Sequence, residues 1–154
     1  MATKRLLILL LLCTSLAAQP VNYNLRELTT VKIEIFDDYN LLPTDVEQKI
    51  LTETKLKLIA AGIKIDDKNP IAAFQISLHL NFSNAFVEPR ILLGVALLEK
   101  VQTFRKGLPR TEAKTYSNFL LFQASRAEMS AAIYKHFFDK LLIEFLENWF
   151  RDNN

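Results

Sequence analysis

Glycine is scarce in this sequence: Gly62, Gly94 and Gly107 are the only three in 154 residues. No phosphate-cradling loop of the G-x-G-x-x-G or G-x-x-x-x-G-K type can be drawn from them, and the G-x-S-x-G nucleophile elbow is missing too. There is one cysteine, Cys13, and there are two histidines, His79 and His136. A disulfide framework needs cysteine pairs. A zinc site needs three or four ligands at close spacing, such as i, i+4 on a helix, and neither imidazole has such a partner. His79 stands among Gln75, Ser77 and Asn81 on the polar side of a strand pattern. His136 stands beside Lys140 and Glu147 on the charged side of a helix pattern, so both read as surface or half-exposed residues.

The adjacent carboxylates Asp37-Asp38 and Asp66-Asp67 fall in Asn-containing stretches, where Asp bonds its own backbone instead of sharing a cleft as an acid–base pair. An EF-hand is excluded, because the alternating oxygen ligands and closing Glu of its loop are missing. The sequence thus argues for no enzyme, no cofactor and no metal. The residual catalytic alternative is a weak hydrolase, with a cleft joining His79 or His136 to a carboxylate or a hydroxyl.

What is present begins with an export pattern. Lys4 and Arg5 precede the apolar run Leu6–Leu12, and Ser15-Leu16-Ala17 places small residues for a cut after Ala17, so residues 1–17 read as a signal peptide. The run is shorter than the roughly 20 apolar residues a membrane-spanning helix needs, and no transmembrane span is expected in the mature chain. A bacterial lipoprotein signal puts a small residue just before its cysteine, whereas Leu12 precedes Cys13. Ordinary cleavage is therefore favoured over a lipid anchor at Cys13. All 17 acids follow the cut, while two of the 19 basic residues precede it, so the mature chain carries 17 charges of each sign. With no net positive field and no basic stripe interleaved with aromatics, nucleic acid is not an expected partner. About 137 residues remain once the 17 of the leader are removed, enough for one domain with a core.

Gln19–Thr30 is polar, and residues 18–30 read as an N-terminal arm ahead of a single domain over residues 31–151. Val31–Phe36 alternates Val31, Ile33 and Ile35 with Lys32 and Glu34, the mark of a half-buried strand. Thr44 and Glu47 have the spacing of a capping box, opening a helix with the inward stripe Val46, Ile50, Leu51, Thr54, Leu58 and Ala61. The helix stops at Gly62, a residue suited to a left-handed C-terminal position, and Ile63 and Ile65 suggest a short strand after it. Ala72–Phe82 alternates Phe74, Ile76, Leu78, Leu80 and Phe82 with small or polar residues. Ile91–Arg105 and Thr111–Gln123 follow as further strands in an antiparallel meander. Ser125–Arg151 closes the chain as a long amphipathic helix, with Ser125 and Glu128 spaced as a second capping box. The expected fold is an α+β two-layer sandwich: a mainly antiparallel four-stranded sheet with two helices on one face, in the order β-α-β-β-β-α.

Ile91–Leu98 is apolar on both of its faces. It reads either as a central strand covered on both sides, or as one whose outer side forms an exposed strip for a partner or lipid. The candidate interaction surface on the second reading is Phe86, Leu92, Leu93, Leu98 and Phe104. Leu56, Ile59, Ile143, Leu146 and Phe150 would extend it.

A leader followed by this order of elements, with Val31–Phe36, Thr44–Gly62 and Ser125–Arg151 as its clearest markers, resembles small envelope proteins. These are the lipopolysaccharide-assembly lipoproteins of the LptE type and the amino-terminal domain of TolB. The resemblance lies in element order and carries no site residue across. It implies a non-catalytic role in envelope assembly or transport. The expectation is an exported, periplasmic or secreted protein that binds an envelope protein or lipid component through its strand edges and apolar strip. The alternative is a carrier holding a small apolar ligand or lipid among the phenylalanines.

Overall fold

The computed structural model describes residues 25–81, 89–101 and 111–154. Strand β1 (Thr30–Asp37) leads into helix α1 (Thr44–Ala60) and a two-residue strand β2 (Lys64–Ile65). Strands β3 (Ala72–Asn81), β4 (Arg90–Val101) and β5 (Thr111–Gln123) follow. The closing helix comprises α2 (Met129–His136), a π-helical turn (Phe137–Leu141) and α3 (Leu142–Asn153).

The strands form one sheet in the order β2-β1-β3-β4-β5. The α+β class agrees with the sequence, but the sheet has five strands, not four, and it is mixed. β1 runs parallel to both β2 and β3, while β3-β4-β5 is an antiparallel meander. The short strand suggested at Ile63 and Ile65 is real and forms the far edge.

Both helices lie on one face of the sheet, as the alternation requires. Phe74, Ile76 and Leu78 of β3 share the core with Ile91, Leu93, Val95 and Leu97 of β4 and with Ile50 and Leu58 of α1. Phe145 of α3 stands edge-on to Phe74 and Tyr116, with ring centroids 4.9 and 5.2 Å away. Thr54 is the one buried polar residue of α1; its hydroxyl donates 2.6 Å to the Ile50 carbonyl, so it is satisfied within the helix. The two helices are tied by the Tyr134 hydroxyl, which donates to Glu53, and by Lys49 over the Tyr134 ring at 4.3 Å.

The π-turn has a geometric reason. Met129, Ile133, Phe137, Leu141 and Phe145 are all buried and recur every fourth residue. In an ideal helix each such step overshoots a full turn by about 40°, which would carry the stripe off the sheet. A wider turn at Phe137–Leu141 absorbs an extra residue and takes back part of that drift.

The helix ends differ from the sequence reading at their starts and agree at the first stop. Neither capping box forms. Pro43 precedes α1 and makes no side-chain cap, and Ser125 Oγ donates 2.8 Å to the Glu128 carboxylate while α2 starts at Met129. At the end of α1, Gly62 at φ +97° lets its N–H bond the Ile59 carbonyl and the Ile63 N–H bond the Leu58 carbonyl. This is a Schellman stop, with Leu58 and Ile63 both buried beside it.

The arm is the largest departure. Residues 25–29 are not a loose tether but a strap packed on the end of the closing helix. Leu25 and Leu28 are buried, the Leu25 N–H donates 2.9 Å to Asp152 Oδ2, and the Trp149 indole N–H donates 3.2 Å to the Leu28 carbonyl. The bond from Leu25 holds the Asp152 carboxyl below its usual range. The signal-peptide reading of residues 1–17, and residues 18–24, lie outside the described residues.

Candidate interaction surface

Strand alternation sends one set of side chains to the helices and the other set to the opposite face. Among the described residues nothing packs over that second face. Register fixes its layout. Phe36, Ser77, Gly94 and Phe119 form one row across four strands, and His79, Leu92 and Leu121 form the row beside it. Glu34, Gln75, Ala96 and Ser117 lie in line on the other side, and beyond them come Lys32, Ala73, Leu98 and Lys114. Phe119 is 69% exposed, Leu121 49% and Phe36 43%.

The face is therefore apolar around the rows of Phe36 and Leu92 and more polar around the rows of Glu34 and Lys32. Its polar part is internally satisfied. Lys32 bridges Glu34, and Gln75 donates to Glu34 at 3.0 Å; the Lys32 contact holds the Glu34 carboxyl below its ordinary range. Its apolar part is low in the middle. Gly94 sits mid-strand in β4, and a Cβ there would stand 2.8 Å from Ser77 Oγ. The two exposed phenylalanines flank this floor, three strand spacings or about 14 Å apart.

The structure separates the residues that the sequence put forward together. Leu92 and Leu98 lie half-buried on the open face. Leu93 does not belong there: it is fully buried on the helix side, packed in the core with Phe74 and Val95. Neighbouring strand residues point to opposite faces, so Leu92 and Leu93 could not share a surface. Phe86 and Phe104 lie outside the described residues. Phe36, Phe119 and Leu121 belong to the surface but were not among the sequence candidates. The signal that could have found them is cross-strand register, since each lines up with Ser77, Gly94 or Leu92 and not with a core residue. Leu56, Ile59, Ile143 and Phe150 are exposed on the helices, away from this face.

The β5 edge is less inviting than the face. Bulging between the Leu97 and Leu98 pairings interrupts the ladder, and the outward Phe119 N–H is taken by Asn118 Oδ1 at 2.8 Å. Such devices blunt an edge against strand addition.

The two histidines lie on opposite faces of the sheet. His79 Nδ1 is 3.8 Å from Asp38 Oδ2 on the open face, and no hydrogen bond joins Ser77 to this pair among the described residues. His136 lies on the helix side against the Phe122 ring at 4.5 Å, where burial and the nearby lysines 135 and 140 push its pKa down. Asp66 makes the expected turn, accepting N–H bonds from Lys68 and Asn69. Among the described residues no cluster of His, Cys, Asp and Glu could hold a metal ion, and no helix is long and apolar enough to cross a membrane.

No family model matches the sequence, and no curated protein is significantly similar to it. Two solved structures share part of the arrangement of elements. One is a dodecamer of a single-residue variant of PelC from Paraburkholderia phytofirmans, at 13% identity and TM-score 0.43, covering 79% of this chain and 86% of that one. The other is a minor lipoprotein from Acinetobacter baumannii, at 12% identity and TM-score 0.36, covering 79% of this chain and 92% of that one. Likenesses this distant carry no conclusion about what the chain does.

Proposed function

We propose that this chain is an exported, non-catalytic protein of the cell envelope that works by binding another envelope component through the open face of its sheet. The observation behind this reading is the row Phe36-Ser77-Gly94-Phe119 with Leu92 and Leu121 beside it. Single exposed apolar residues are normal on any surface, but contiguous ones mark contact sites. Three large exposed side chains share one face here, around a floor lowered by Gly94. The leader pattern supports export, and the absence of a catalytic constellation in the sequence supports binding over chemistry.

The test is photocrosslinking in the envelope of the producing cell, with a photoreactive phenylalanine at Phe119 or, as a control, at Leu56 on the outer side of α1. Discrete adducts from Phe119 that Leu56 does not give, lost when Leu121→Asp is added, are the expected result. Equal adducts from both positions, or none from Phe119, would overturn the assignment.

A further inference from the structure

The chain leaves β1 in one direction across the sheet, through α1 to β2, and leaves β3 in the other direction, to β4. Connections that diverge from the carboxyl ends of neighbouring parallel strands leave a crevice between them, the usual place for a ligand in sheets covered by helices. A cleft of about 670 Å³ lies at that point, within the range of about 300–1,000 Å³ typical of small-molecule sites. β5 runs parallel to β1 and β3, so the start of the closing helix arrives at the same end and supplies the remaining wall.

The lining divides by chemistry. Leu41, Leu42, Leu80, Pro89 and Met129 make it mainly apolar, and Arg126 is the one charged residue among the described residues that line it. Arg126 makes no hydrogen bond or ion pair with another described residue. Among the described residues, Glu128 accepts the Ser125 hydroxyl at 2.8 Å, Asp37 accepts the Leu42 N–H at 2.8 Å through Oδ2 while its Oδ1 is buried without a hydrogen-bond partner, and Asp38 faces His79 on the open face. An apolar cavity whose wall carries one guanidinium, unpaired among the described residues, calls for a ligand with an apolar body and one anionic group.

We infer that this cleft binds a single-chain amphiphile bearing a carboxylate. The tail lies against Leu80 and Met129, and the head pairs with Arg126, whose planar fork matches a carboxylate with two parallel bonds. This site is separate from the open sheet face and stands or falls independently of it.

The probe is dodecanoate, titrated calorimetrically into the protein below its micelle concentration, with amide shifts followed by NMR. The expected result is one dodecanoate per chain, with shifts at Leu41, Leu80 and Met129. Affinity should fall about tenfold in Arg126→Gln and largely recover in Arg126→Lys. Arg126 is exposed, so these variants should keep the wild-type melting curve. Dodecanol should bind more weakly than dodecanoate and be indifferent to Arg126→Gln, and inorganic phosphate should not compete. The inference is overturned if dodecanoate fails to bind, if Arg126→Gln binds it as well as wild type, if phosphate displaces it, or if the shifts fall on Leu92 and Phe119.

Discussion

Leu92 and Leu93 are chemically identical neighbours on the central strand β4, and the fold assigns them opposite fates. Leu93 is fully buried between sheet and helices, whereas Leu92 is half-exposed on the open face. Truncating a buried leucine loses its transfer free energy and leaves a cavity, costing about 2–5 kcal/mol in a core that cannot collapse around it. Leu93 is held between paired strands on either side of β4, so little collapse is available, and we expect a cost near about 3 kcal/mol for Leu93→Ala. For a domain of this size that is a drop in Tm of roughly 10 °C. Leu92→Ala leaves no sealed cavity and should cost under about 1 kcal/mol. Lysine sharpens the contrast. On the open face its stem can lie along Leu121 with the ammonium in water, whereas at Leu93 the charge has no route to solvent. Urea and thermal unfolding of the four variants provide the assay. Equal losses for Leu92→Ala and Leu93→Ala would show that the second face is covered as fully as the first, and would remove the basis for the binding surface.

Gly62→Ala forces a side chain into φ +97° at the Schellman stop of α1 and should cost about 1–2 kcal/mol in equilibrium unfolding; an unchanged midpoint would contradict that geometry. His136 is lowered in the folded state from its ordinary 6.5. The fold therefore binds that proton less readily than the unfolded chain does. Its contribution to stability is complete above about pH 6.5 and is lost as pH falls through the lower folded value. Urea midpoints between pH 8 and pH 5 should show this loss in wild type and not in His136→Gln, and parallel curves would refute the assignment.

Local pattern carried most of the element assignment. The alternation Phe74-Ile76-Leu78-Leu80 placed β3, the run Thr111–Gln123 matched β5, and Gly62 marked the end of α1. Pairing was harder to read, because which strands lie side by side depends on contacts across the chain. That is why the sheet reads from sequence as mainly antiparallel and four-stranded, when it has five strands and β1 runs parallel to both of its neighbours. The side of β4 that faces the core was hidden for a related reason: Ile91–Leu98 is apolar at every position but Gly94, so only its register against β3 separates Leu92 from Leu93. Leu25 and Leu28 gave no periodic signal among polar residues, and the groups that hold them, Trp149 and Asp152, lie more than 120 positions away. The capping boxes failed in a different way. The right residue types stood at the right spacing, but Ser125 spends its hydroxyl on the Glu128 carboxylate, leaving the backbone N–H groups without it.

The strap of residues 25–29 has a consequence for orientation. It brings the entry of the folded domain to within one hydrogen bond of the exit, at the far end of a closing helix that spans roughly 37 Å over its 25 residues from Met129 to Asn153. Any pull applied upstream of Leu25 thus meets the tip of that helix before it reaches β1. A protein held this way would present Arg126 and its cleft at the distal pole, with the face around Phe119 turned sideways along the axis of suspension.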